Sequence, residues 1–130
     1  MKSQYKPIII LSAFKTGVTQ ANNSKNHITL GTAFDKSGIE YRRCVGVYNG
    51  AKEPSFIIEN TPDNLEVALK CAYEFSQESI LVMDNEGRGK LVYTKGPKTS
   101  KQLGFIKVTD SKPDGDYTLV NDTNEYFTFK

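Results

Sequence analysis

The residues that could do chemistry in this chain are few, and imidazole chemistry is not what they offer. The 130 residues contain one histidine, His27, and two cysteines, Cys44 and Cys71. Structural zinc takes four Cys or His ligands and catalytic zinc at least three protein ligands, so no metal site is expected. Two cysteines cannot form a disulfide framework either. Cys44 and Cys71 read most simply as small buried hydrophobes. A Cys–His nucleophile pair has no neighbouring motif to support it, and His27, near Leu30 on an expected helix, reads as a packed or surface histidine. An enzyme built from this inventory works without a metal, without a cofactor and without a histidine base.

The remaining candidates sit where expected strands begin or end. Ser12 closes the apolar run PIIILSAF, at the C-terminal strand end where open α/β sheets place ligands. Ala13 and Gly17 beside it would let a ligand approach the backbone. The plainer reading is a strand-end serine before a loop. Tyr48 ends a strand against Asn49-Gly50 and could equally be a hairpin aromatic packed on a neighbour. Glu53-Pro54 opens the next strand, where proline is tolerated because no ladder donor is required; a glutamate there is usually solvated. Gln77-Glu78 lies between a helix end and a strand start and also reads as an exposed loop pair. Arg42 and Arg43 point to opposite faces of a strand and cannot clamp one anion together. Gly87-Arg88-Gly89 is too short for a phosphate loop.

The elements that must position these residues follow from periodicity. Pro7 to Phe14 is apolar almost throughout and predicts a central strand buried on both faces. A helix is expected from a cap at Asn22 or Asn23, through Leu30, Ala33 and Phe34, to Ser37-Gly38. Tyr41–Tyr48 and 55–59 predict strands two and three. Thr61-Pro62-Asp63 opens the clearest helix, with Leu65, Ala68, Leu69, Ala72 and Tyr73 at spacings of three and four. It is expected to end near Phe75-Ser76. Ser79–Met83 is the fourth strand, with 91–93 as its hairpin partner. After Gly96-Pro97 only strands are expected: 105–108, 117–120 and 125–129. The order βαββαβ plus a strand-rich tail predicts an α+β fold, a ferredoxin-like or PII-like sandwich with extra C-terminal strands. One sheet face would then lack cover, which predicts self-association.

Composition bounds the rest. With 38% hydrophobic and 25% charged residues the chain reads as one ordinary globular domain, residues 1–130. The longest apolar run, Ile8–Leu11, is strand-sized, so no membrane span is expected. MKSQYKP carries no apolar segment before a cleavage site, so no signal peptide is expected and the location is taken as cytoplasmic. Residues 86–112 hold seven Lys or Arg against two acids, and residues 113–130 hold four acids against Lys130. That pattern is a solvated surface more often than a nucleic-acid face. The net charge of +2 excludes a mimic of DNA.

LSAFKTG, GVYNG, EPSFII, LEVALKCAYEFSQESILV and LVYTKG, in that order, resemble the small phage-encoded S-adenosylmethionine lyases, formerly classed as hydrolases. The resemblance spans about residues 8–96; the tail has no counterpart in it. It implies a ferredoxin-like or PII-like sandwich, a homotrimer with sites between subunits, and cleavage of S-adenosylmethionine to 5′-methylthioadenosine and homoserine lactone. It implies a role in depleting the host's methyl donor and so hampering restriction. Carried over by motif, Tyr48 and Glu53 match the active-site tyrosine and glutamate. Ser12, Ala13 and Phe14 border the adenosine pocket, and Gln77 and Glu78 match a further acidic segment. Three rivals stand beside this reading. One is a non-catalytic PII-like module binding a nucleotide-like ligand. One is a nucleic-acid binder using residues 86–112 with Tyr93 and Phe105. The third is hydrolysis of the same substrate to homoserine, which the lack of a base for activating water disfavours.

Overall fold

Strand β1 (Ile8–Leu11) is apolar on both faces because both faces are covered. Ile9 and Leu11 point to one cluster and Ile10 to another. The same division holds in β3 (Ala51–Glu59), with Phe56 and Ile58 against Ile57, and in β4 (Ser79–Met83), with Ile80 and Val82 against Leu81 and Met83. Period-two alternation between two apolar layers produces this pattern. The structure is a computed structural model describing residues 5–15, 17–95 and 99–130. The Gly96-Pro97 boundary and the end of the 91–96 motif lie outside the described residues.

The outer layer is two helices. Helix α1 (Gln20–Lys36) starts from Thr19, whose hydroxyl accepts the Asn22 N–H at 3.2 Å, rather than from a cap at Asn22 or Asn23. It contributes Leu30 and Phe34 to the core and ends before Gly38, which takes a left-handed φ of 70°. Helix α2 (Pro62–Glu74) starts from Thr61 with proline in its first turn and contributes Ala68, Cys71 and Ala72. Phe56 is the hub of this layer, meeting Phe34 edge-on at 5.8 Å and Tyr41 at 4.9 Å.

The inner layer overturns the expected sandwich. The chain continues through β5 (Arg88–Tyr93), β6 (Ser100–Thr109), β7 (Tyr117–Val120) and β8 (Tyr126–Phe129). With β2 (Tyr41–Tyr48) these close an antiparallel barrel in the order β1-β3-β2-β7-β8-β6-β5-β4. The element order β1 α1 β2 β3 α2 β4 is as expected, but the ferredoxin-like or PII-like βαββαβ sandwich is not the fold. The reason lies in the tail. Ile106, Val120 and Phe127 pack on Ile10, Cys44, Ile57, Leu81 and Met83, so the face expected to await another copy is covered by the chain itself. Closure pairs each of the described strands with a neighbour on both sides. At the crowded side of the lumen the Phe129 ring lies where a side chain at Gly89 would stand.

The hairpin joining β2 to β3 positions the site. Asn49 and Gly50 both have positive φ, 51° and 79°, the type I′ signature of an Asn-Gly turn. That turn fixes the register Tyr48↔Ala51 and Gly46↔Glu53. β3 begins at Ala51, four residues before the expected run at 55–59, so Glu53 and Pro54 sit inside the strand rather than at its opening.

Candidate active site

One end of the barrel is polar. On β2, Cys44 faces the lumen and Tyr48, four residues on, faces it too; on β3, Ile57 faces the lumen and so do Ser55 and Glu53. Ser12 follows β1, and Gln77-Glu78 joins α2 to β4, at the same end. A cleft of about 550 Å³ opens there, lined by Ser12, Phe14, Lys15, Tyr48, Glu53, Gln77 and Glu78. Six of the seven residues singled out from the sequence therefore meet at one cleft. Ala13 does not. It is 1% exposed and turns to the opposite face, into the core beneath the helices.

The side chains divide into framework and free chemistry. The Ser12 hydroxyl donates to the Pro54 carbonyl at 2.7 Å and accepts the Phe14 N–H at 3.0 Å, tying the end of β1 to β3. Gln77 Nε2 donates to the Phe14 carbonyl at 2.7 Å, and Ser55 donates to the Glu53 carbonyl at 2.9 Å. These groups hold backbone. Glu53 and Glu78 are different: among the described residues neither forms an ion pair. Glu53 is half-buried, and desolvation raises its pKa above the ordinary 4.5. An unpaired carboxylate held partly out of water is unfavourable for folding, and a cationic ligand would relieve it.

Tyr48 lies flat over Gly46. A β-carbon at Gly46 would stand 2.5 Å from Tyr48 Cε2. Gly46 is flanked in the ladder by Glu53 on one side and Thr118 on the other. The Tyr48 hydroxyl bonds the side chain of buried Thr118, and burial, with lesser repulsion from Cys44, Glu53 and Asp116, raises its pKa despite that bond. It stays a neutral phenol, able to donate a hydrogen bond.

A second cleft of about 730 Å³ adjoins the first, between α1 and the start of β3. Phe14, Lys15 and Glu53 line both. His27 lines the second, stacked parallel on Phe56 at 4.3 Å and edge-on to Phe14 at 5.7 Å. Its Nδ1 is buried without a hydrogen-bond partner. Burial, and secondarily Arg43, lower its pKa, so it is a packed neutral imidazole rather than a base. Cys44 lies inside the barrel with its thiol pushed up to about 12 by burial, and Cys71 is buried too, as expected for small hydrophobes. Arg42 pairs with Asp122 at 2.8 Å, away from the cleft, and does not share an anion with Arg43.

Sequence reasoning missed Lys15 and Asn23. Asn23, 8% exposed, accepts the Lys15 N–H at 3.0 Å and donates to the Lys15 carbonyl at 3.1 Å. An asparagine one turn into a helix reads as a cap from sequence, and nothing local signals that its amide reaches back eight residues.

Unpaired acids, a neutral phenol and two clefts with a shared lining make this end of the barrel the candidate site. The model of the S-Adenosylmethionine lyase family matches residues 9–130, and the chain belongs to that family. It is thus an enzyme acting on S-adenosylmethionine. The match runs past residue 96 and takes in the closing strands β6 to β8, which the sequence motifs leave unmatched. No curated protein matches the sequence. Among the described residues no helix is long and apolar enough to cross a membrane.

Proposed function

We propose that the enzyme splits S-adenosylmethionine into 5′-methylthioadenosine and L-homoserine lactone, with the substrate as its own nucleophile. The observation that carries this reading is Glu53, an unpaired acid at the junction of two clefts. S-adenosylmethionine is two arms joined at a sulfonium. Glu53 then faces the sulfonium. The methionine arm lies in the first cleft beside Tyr48 and Glu78, and the adenosine arm in the second beside Phe14 and His27.

In the reaction one carboxylate oxygen attacks Cγ of the methionine arm. The O–Cγ bond closes a five-membered lactone as the Cγ–S bond breaks, and its electron pair leaves on sulfur as a neutral thioether. No proton moves and no water is consumed. Opposite charges on sulfonium and carboxylate cancel along the path, so a site drier than bulk water favours the transition state. Tyr48 holds the folded conformer by its hydroxyl. Proximity of two groups in one molecule can contribute several kcal/mol, on the order of 7 or more in favourable cases.

The further expectations belong to the same proposal: a homotrimer with sites between subunits, acting in the host cell cytoplasm to deplete the methyl donor against restriction. The barrel covers its own inner face, so the trimer rests on the resemblance and on Ile28 and Val18. These stand 68% and 36% exposed at the second cleft, where a neighbouring subunit would complete it. Incubation with S-adenosylmethionine, read by mass spectrometry at early times, tests the chemistry. Lactone with methylthioadenosine is expected; homoserine appearing first, or intact substrate, contradicts it.

A further inference from the structure

Among the described residues three charged side chains line the first cleft: Lys15, Glu53 and Glu78. The substrate carries three charges as well: a sulfonium, an ammonium and a carboxylate. Two acids and one base meet two cations and one anion. Resting on the proposed reaction, we infer that Lys15 binds the substrate's carboxylate, the reacting group itself, and that Asn23 is the positioning residue that holds Lys15 to this task.

Lys15 is exposed, and an exposed lysine is ordinarily just solvated. Two features set this one apart. Its backbone is held on both sides by the buried Asn23 amide, N–H to Oδ1 and carbonyl to Nδ2. Lys15, four residues after β1, is thereby fixed at the seam of the two clefts, whose linings it shares. And among the described residues the Lys15 ammonium forms no ion pair, although Glu53 and Glu78 line the same cleft. The three charges are held apart, as a site for a zwitterionic end requires, rather than neutralising one another.

Holding the carboxylate by one oxygen leaves the other to attack Cγ. Because attack turns the carboxylate into an uncharged ester, the Lys15 contact is stronger in bound substrate than in the transition state. Losing such a contact raises KM and does not lower kcat. Lys15 therefore selects substrates that carry the nucleophile.

The test compares S-adenosylmethionine with its decarboxylated analogue, which retains the sulfonium and the amine but has no carboxylate. Wild type should bind the analogue, measured as a competitive inhibitor, about tenfold more weakly than substrate, the size of one charge-assisted hydrogen bond. Lys15→Met should raise KM about tenfold, leave kcat at or above the wild-type value and abolish the discrimination. Lys15→Arg should restore it. Asn23→Ala should lose part of it, with no further loss when combined with Lys15→Met. Unchanged discrimination in Lys15→Met overturns the inference, as does a lower KM, which would mean that Lys15 repels the cation. Absence of turnover by wild type instead overturns the reaction on which the inference rests.

Discussion

Glu53 carries opposite consequences for stability and for activity. Its pKa is raised by desolvation, so folding disfavours its ionised form. That cost is absent below about pH 4.5, where the carboxyl is protonated folded or unfolded, and grows as pH rises through the raised folded value. Glu53→Gln should therefore melt no lower than wild type at pH 7, with any advantage gone near pH 4, while kcat/KM falls about tenfold or more through a raised KM. Thermal melts and initial rates on one preparation check both. In wild type, kcat/KM should decline on acidification before an ordinary glutamate would titrate, since only the ionised form attracts the sulfonium. The places of Tyr48 and Glu53 beside a turn were legible in the sequence, whereas their assignment to a site came from the family resemblance. The anchoring of Lys15 was not legible, because it comes from a buried amide on another element.

At the scale of elements, the β2–β3 hairpin is the part that sets the site. Asn49-Gly50 gives the turn, the turn gives the register, and the register sets Glu53 and Thr118 on either side of Gly46. The Tyr48 ring then occupies the space a side chain at Gly46 would need. Gly46→Ala should displace that ring, lowering kcat at least about tenfold while the barrel still folds. Far-UV circular dichroism together with the rate distinguishes this from unfolding. The turn and most strand bounds were readable from Gly, Asn and β-branched runs. The closing ladder β7–β2 was not, since pairing between residues 117–120 and 44–47 is a long-range choice that no local pattern encodes.

For the whole molecule, the sequence shows that the first strand needs cover on both faces, and it does not show what supplies it. An open sheet covered by another copy and a barrel closed by the tail satisfy the same alternation. Here the tail does it, with Ile106, Val120 and Phe127 in the lumen. The proposed trimer would then use the outer surface, where Ile28 on α1 is the most exposed large apolar residue among those described. Ile28→Asp should reduce the mass measured by light scattering from trimer toward monomer and lower activity with it. A monomeric wild type that turns over normally would remove the intersubunit site from the account.

The central claim is that the substrate's own carboxylate, and not water, displaces the thioether. Turnover in ¹⁸O-water tests it directly, with the oxygen located in the homoserine that forms when the lactone opens. The account predicts label only in the carboxyl group, introduced by attack of water on the lactone carbonyl. Label in the γ-hydroxyl would mean that water attacked Cγ, and the enzyme would be a hydrolase.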